Sequence, residues 1–319
     1  MDALGIDIAK AKFVVALLTA DGRLRRKSCP NTPAGFAELG VWLVRHGVTR
    51  VHACLEATGT YGDALAHWLV DAGHVVSIVN PVIIHAYART QLTRSKTDDI
   101  DAALIARYTA TQHPPGWTPA PLAVRELQAL VRRLDSLHDM RAQEANRLAA
   151  GPVVAAVRRS IEAVLANLDA QIAQVQQLIR KHMDQHPGLR SQRDLLTSIP
   201  GIGEATAATL LAELFDKRYT SARQAAAFAG LVPRLHESGT LRGRPRLSKL
   251  GPGRLRKALY FPALTALRWN PSIRAVRERL HAAGKPKMVI VGAAMRKLIH
   301  IAFGVLKSGR AYDATFINA

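Results

Sequence analysis

Cysteine is scarce in this chain. Only Cys29 and Cys54 occur in 319 residues, without C-x-x-C spacing, which leaves no disulfide framework and no cysteine-based zinc site and suits a reducing, cytoplasmic setting. Aromatic residues make up 5% of the chain, and Trp42, Trp68, Trp117 and Trp269 are scattered, so they read as packing residues rather than a platform for stacked bases. Acidic residues are few: 24 against 44 lysines and arginines, a formal charge of +20. That excess makes an anionic polymer the natural partner. A clean apolar run is also missing. Asp2, Asp7, Lys10 and Lys12 interrupt the N-terminus, which excludes a secretory signal, and Arg296, Lys297 and His300 interrupt the most apolar stretch, Met288 to Leu306. An amphipathic helix suits that stretch better than a membrane span.

What is present is unevenly placed. Residues 191–319 carry 22 basic and 7 acidic side chains, so they hold 15 of the 20 excess charges. Residues 1–121, with 12 basic and 10 acidic side chains, are nearly balanced. In this front part Asp7 lies within the apolar run Leu4-Gly5-Ile6-Asp7-Ile8, and Glu56 ends another, Val51 to Glu56. A carboxylate inside a buried strand is costly unless it is paired or binds a cation. Thr97 reads as an N-cap, which places Asp98 and Asp101 three apart on one face of a helix's first turn. Acids there also favour the helix dipole on their own. Taken with Asp7 and Glu56, they form a quartet able to hold two Mg²⁺ ions.

The expected element order begins with strands at 3–9 and 12–19, and Asp21-Gly22 turns the chain into a third strand. A helix from Pro33, strand 50–56, helix 62–72, strand 74–79, helix 81–89 and the helix from Asp98 follow. This order resembles the ribonuclease H or RuvC type of nuclease domain, in which acids from the first strand, a later strand end and a C-terminal helix meet at one sheet edge. Pro114-Pro115-Gly116 and Pro119-Ala120-Pro121 read as a stiff linker closing a domain at 121. Residues 122–190 carry heptad-like seams, Leu130, Leu134 and Leu137 and then Ile161, Val164, Leu168, Ile172, Val175 and Ile179. Gly151-Pro152 between them marks either a turn between antiparallel helices or a kink in one long element. His182 and His186 have helical metal-ligand spacing, but no Glu lies between them and Pro187 follows, so they read as solvated residues at a coil end.

The region from 191 onward is expected to be mostly helical. Ile199-Pro200-Gly201-Ile202-Gly203 has the form of a helix-hairpin-helix turn, in which Gly201 and Gly203 would expose backbone N–H groups to phosphate. From Arg234 to Lys257 there are eight basic residues, Arg234, Arg242, Arg244, Arg246, Lys249, Arg254, Arg256 and Lys257, against the single acid Glu237. Glycines interleave them, and phosphate backbone is the expected ligand.

Five motifs in order resemble the DEDD transposases of the insertion sequence 110 family: Gly-Ile-Asp-Ile-Ala-Lys at 5–10, Glu-Ala-Thr-Gly at 56–59, Lys-Thr-Asp-Asp-Ile-Asp-Ala at 96–102, Ile-Pro-Gly-Ile-Gly at 199–203, and Ala-Gly-Leu-Val-Pro-Arg with Ser-Gly at 229–239. The resemblance covers nearly the whole chain. It implies a RuvC-like domain at 1–121, a coiled coil at 122–190 and a transposase domain at 191–319. It further implies an acidic, Mg²⁺-binding quartet at Asp7, Glu56, Asp98 and Asp101, and a serine nucleophile at Ser238, with Ser248 as a rival. Members act as RNA-guided DNA recombinases, so donor and target DNA, a noncoding bridge RNA and a dimer or tetramer are the implied partners, in a prokaryotic cytoplasm. Other readings of the same residues are a RuvC-like junction nuclease that uses water, or a non-catalytic nucleic-acid-binding scaffold. Tyr260 near the basic run lacks the Arg-His-Arg constellation of a tyrosine recombinase.

Overall fold

Alternating apolar residues build the first layer. Strands β1 (Asp2–Ile8), β2 (Lys12–Leu18) and β3 (Leu24–Pro30) form an antiparallel meander, and α1 (Pro33–Arg45) leads to β4 (Val51–Glu56). Helix α2 (Asp63–Asp71), β5 (Val75–Val79), α3 (Pro81–Thr90) and α4 (Asp98–Gln112) complete the unit. The sheet order is β3-β2-β1-β4-β5, with β4 parallel to both β1 and β5. This computed structural model describes every residue except 58, 92–96, 152–153, 216–218, 235–236, 239–240, 243–245 and 316–319, and describes the backbone alone at 237, 241 and 242.

The two faces of the sheet pack differently. Leu4, Ile6, Phe13, Val15, Leu17 and Leu55 join Phe36, Leu39 and Leu43 of α1 and Leu65 and Leu69 of α2. On the opposite face the small residues Val14 and Ala16 meet Ala102, Ala103 and Ala106 of α4, while Cys54 packs with Ile84, Leu104 and Ile105. Gly5 is the contact point of that second face. A Cβ placed there would collide with the backbone of Ala102 and Ala106, so α4 lies directly on β1 with no side chain between them. The mixed five-stranded sheet with helices on both faces is the architecture expected of a ribonuclease H-like unit. Residues 114–117, at the end of the first unit, are docked along β5: Ser77 Oγ lies within hydrogen-bond distance of the carbonyls of Pro114 and Pro115, at 3.1 and 2.8 Å, and the Trp117 N–H donates to the Val76 carbonyl at 2.6 Å. They cover an exposed strand edge.

Contacts divide the chain into the units Met1–Pro119 and Ala120–Ala319. The second unit opens with α5 (Leu122–Ala149) and α6 (Ala155–Gln185). Arg141 bonds Asp169 and Ala123 bonds His182, so the two helices run antiparallel, and the break near Gly151 is a turn rather than a kink. After these come α7 (Pro187–Thr197), α8 (Glu204–Glu213), α9 (Ala222–Phe228), four two-residue strands, β6 (Pro233–Arg234), β7 (Glu237–Ser238), β8 (Leu241–Arg242) and β9 (Arg246–Leu247), and finally α10 (Gly253–Trp269), α11 (Pro271–Ala282) and α12 (Lys287–Ser308). Leu127, Val131, Leu134 and Leu137 of α5 and Leu168 to Met183 of α6 belong to the same core as α7 to α12. Helix α12 is long and apolar enough to cross a membrane, but Ile290, Ala294, Leu298, Ile299 and Ala302 are buried in that core, which accounts for its apolar composition.

Gly5→Ala is expected to lower stability by about 3 kcal/mol, because backbone rather than a flexible side chain must move. Urea unfolding of the variant against wild type measures it.

Candidate active site and nucleic-acid interface

Strand alternation decides where the acids point. Leu4 and Ile6 face α1 and α2, so Gly5 and Asp7 face α4. Leu55 likewise faces α1 and α2 while Cys54 packs with α3 and α4, which puts Glu56 on the α4 side. The parallel register pairs Ile6 with Leu55, so Asp7 and Glu56 are the next neighbours across adjacent strands, whose spacing is about 4.8 Å. Both side chains are partly buried.

Helix α4 brings its own acids to the same edge. Thr97 Oγ1 accepts from the Ile100 N–H at 3.3 Å, so the helix starts at Asp98 with Asp98, Asp99 and Asp101 in its first turn. Lys12, the first residue of β2, reaches Asp98 Oδ2 at 2.9 Å, which fixes the start of α4 at the Asp7 end of β1. The hydrogen bond to Asp98 raises the Lys12 pKa, with the charges of Asp98, Asp99 and Asp7 adding to it. The same hydrogen bond holds Asp98 below the ordinary carboxylate range. An ammonium ion thus sits where a cation is surrounded by carboxylates. The oxygen-only donor set, partly open to water, suits a hard cation that keeps several waters. No thiol competes for such a role: burial pushes Cys54 up to about 11 and raises Cys29 as well.

The two candidate serines differ in access. Ser238 is exposed on β7, its backbone paired with Leu241 on β8. The Ser248 Oγ is buried, with no hydrogen-bond partner among the described residues, and its N–H donates to the Val232 carbonyl at 2.9 Å.

The basic run divides into two groups. Arg234, Arg246 and Lys249 are exposed; the Arg242 side chain and the whole of Arg244 lie outside the described residues. The others make contacts within the protein, Lys257 while remaining exposed. Arg254 bonds Glu213 at 2.9 Å and Asp135 at 2.7 Å, Lys257 pairs with Asp139, and the Arg256 guanidinium donates to the carbonyls of Ala229 and Gly251 at 3.2 and 3.0 Å. Arg254, expected on the phosphate-binding surface, joins α10 to α5 and α8 while its side chain stays 36% exposed. Gly201 also turns inward: with φ at +106°, an added Cβ would meet Ala266 Cβ at 2.8 Å and the Pro262 carbonyl at 2.9 Å, so it serves the close approach of α10. Gly203 is exposed at the start of α8, where Glu204 pairs with Arg180 at 3.0 Å.

Sequence reasoning missed Glu213. Its side chain is 11% exposed and also bonds Arg132 Nε at 2.9 Å, so one carboxylate ties α5, α8 and α10 together. Burial works to raise its pKa, but hydrogen bonds and charges from Arg132 and Arg254 outweigh it and hold the carboxyl below its usual range. Nothing in the spacing of Arg132, Glu213 and Arg254 along the chain signals this meeting.

Comparison with known proteins bears on both units. Residues 4–151 match the DEDD transposase model of the IS110 group, and residues 193–278 match the model described as "Transposase IS116/IS110/IS902 family". The chain is 35% identical over 315 residues to the pilin gene-inverting protein of Moraxella bovis, covering 97% of each chain. This chain belongs to the IS110 family of transposases. A second pilin gene-inverting protein, from Moraxella lacunata, is 34% identical over 315 residues and 97% of each chain. The transposase for insertion sequence element IS1328 from Yersinia enterocolitica is 28% identical over 235 residues, which is 65% of this chain and 69% of the relative. The transposase is therefore a DNA recombination enzyme.

In this transposase Glu213→Gln is expected to cost about 2 kcal/mol at neutral pH, less than a fully enclosed pair because both guanidinium groups reach solvent. A carboxyl held below its ordinary range contributes stability that is present above its unfolded pKa and lost as pH falls through the folded value. The difference between wild type and variant should therefore narrow below about pH 4. Thermal unfolding across a pH series reads both effects.

Proposed function

We propose that this transposase cleaves and exchanges DNA strands in a Mg²⁺-dependent reaction in which Ser238 attacks the phosphodiester and a noncoding RNA selects the DNA. The reading rests on one observation above all, the acids gathered where β1, β4 and the start of α4 meet. Asp7, Glu56, Asp98 and Asp101 would hold the ions. Bound there, Mg²⁺ supplies Lewis-acid polarisation of the phosphate and steadies the leaving oxygen.

The chain's own residues supply the rest. The Ser238 oxygen forms a bond to phosphorus as a phosphate–sugar bond of the DNA breaks, leaving one strand end as a free hydroxyl and the other as a phosphoserine ester. Attack by a hydroxyl from another strand reverses the step and frees Ser238, so strands are rejoined without ATP. The exposure of Ser238 supports it over Ser248, whose hydroxyl is buried. Arg234, Arg246 and Lys249, exposed near Ser238 in sequence, would contact phosphate oxygens and offset charge that develops there. Gly203, Arg242 and Arg244 are further residues expected to contact phosphate. RNA guidance rests on the family resemblance and on the excess positive charge of residues 191–319; pairing between RNA and DNA would then read sequence while the protein reads backbone.

The enzyme would act as a homo-oligomer in the prokaryotic cytoplasm, at the nucleoid. Met140, Val154, Val157 and Val164 on the outer part of the α5–α6 hairpin are 37 to 56% exposed, and such a stripe suits contact with a second copy.

Ser238→Ala is expected to abolish covalent protein–DNA adducts and lower strand exchange by about 10³-fold or more, while Ser248→Ala leaves adducts in place. Continued cutting by Ser238→Ala would point to water as the nucleophile. Asp7→Asn is expected to keep DNA binding and lose cleavage; full recombination by that variant would leave the acids a structural role. Denaturing gels of labelled DNA, with the transcript that flanks the gene supplied as guide, report all of these outcomes.

A further inference from the structure

The base of the α5–α6 hairpin gathers three side chains that strand cleavage does not use. His182 lies in the last turn of α6, His186 at the junction of α6 with α7, and Glu126 near the start of α5. One donor atom from each lies within 4.8 Å of the other two, and His182 Nδ1 is 3.8 Å from Glu126 Oε2.

The remaining ring nitrogens decide the tautomers. His182 Nε2 is 2.7 Å from the Ala123 carbonyl, and His186 Nδ1 is 2.8 Å from the His182 carbonyl. A carbonyl oxygen only accepts, so each of these nitrogens carries the proton. In the neutral form of each ring the lone pair is then at His182 Nδ1 and at His186 Nε2. Backbone carbonyls that fix the far nitrogen of a histidine are the usual support of a metal ligand. The rings stand 4.4 Å apart, centroid to centroid, and the His182 side chain is only 12% exposed. His182 is thus largely enclosed and both rings are held in place by backbone carbonyls.

We propose that Glu126, His182 and His186 form a Zn²⁺ site that pins the start of α5 to the junction of α6 and α7. Two imidazoles and one carboxylate favour Zn²⁺, or Co²⁺ in its place, over Mg²⁺, which prefers oxygen ligands and water. Donors around a tetrahedral zinc lie about 3.3 Å apart at the usual bond lengths. The Glu126 side chain is 52% exposed and so has room to move toward the rings. A water takes the fourth position. The site is separate from the acids of the first unit, and its metal serves to hold helices in place rather than to do chemistry.

The test uses the full chain without a polyhistidine tag, freed of metal by chelation. Calorimetric titration with ZnCl₂ should show one more site per chain in wild type than in Glu126→Gln/His186→Gln, and each single variant should weaken that site about tenfold or more. Zn²⁺ should raise the unfolding temperature of wild type and not that of the double variant. Co²⁺ should give wild type the visible absorption of a four-coordinate site. Glu126→Gln alone alters an exposed side chain, so it preserves the fold if the double variant does not. Any ions taken by Asp7, Glu56, Asp98 and Asp101 appear equally in all these proteins and cancel. Equal Zn²⁺ stoichiometry and affinity in wild type and Glu126→Gln, or no binding by wild type, would overturn the site.

Discussion

The contact of α4 with β1 at Gly5 governs the arrangement of the first unit. Helix and strand touch backbone to backbone there, with Ala102 and Ala106 on one side and a residue without a Cβ on the other. Small residues continue the same surface, Ala16 on β2 and Ala103 on α4. A larger residue anywhere along this line would lift the helix from the sheet and carry Asp98 and Asp101 away from Asp7. The acid-lined edge is thus a consequence of packing before it is a matter of electrostatics. Like charges brought so close repel, and Lys12 offsets part of that repulsion through Asp98. Both partners of that pair are more than half exposed, so water screens it and the ammonium is easily displaced by a competing cation.

Much of this was legible in the sequence because it is local. Apolar alternation marked the strands, Pro33 marked a helix start, and Thr97 before a run of acids marked the cap of α4. Placing Asp7 beside Glu56 needed only the parallel pairing of β1 with β4. What was hidden depends on residues far apart in the chain. Arg132, Glu213 and Arg254 meet across three helices, and Glu126 stands beside His182 only because α5 and α6 fold back on each other. A reading confined to the His182 and His186 spacing had no means of seeing the carboxylate. Gly201 shows a second hidden constraint: the sequence marks a glycine in a turn, and the close approach of α10 to its Cα is a further reason for it that only the fold reveals.

The same distinction limits what a count of basic residues says about a binding surface. Arg254, Arg256 and Lys257 sit in the densest part of the charge run, yet each is tied to carboxylates or carbonyls of the protein. An arginine held in this way keeps its charge, so it still contributes to the long-range field around the unit. Its contacts within the protein occupy only some of its donors, so the direction of its guanidinium is set by the fold. Arg234, Arg246 and Lys249 have no such ties among the described residues, and Lys249 projects from a left-handed backbone position, φ +52°, beside the Gly230 carbonyl. The residues of one cluster thus differ in how far the fold constrains them.

The α5–α6 hairpin shows a similar division along its length. Its inner half shares the core of the second unit through Leu127 to Leu137 and Leu168 to Met183, whereas outside that stretch no residue of either helix is buried. The Arg141–Asp169 pair near the boundary is well exposed on both sides and so adds little cohesion. Two helices meeting along one narrow seam are weakly stable in isolation, since most helical stability in proteins comes from burying an apolar face. Rigidity must then enter the arm from its base, where α5 begins and α6 ends. Contacts at that base, the His182 ring against the Ala123 carbonyl among them, set the direction in which the outer half points, because a small rotation there is multiplied over a helix about 40 Å long.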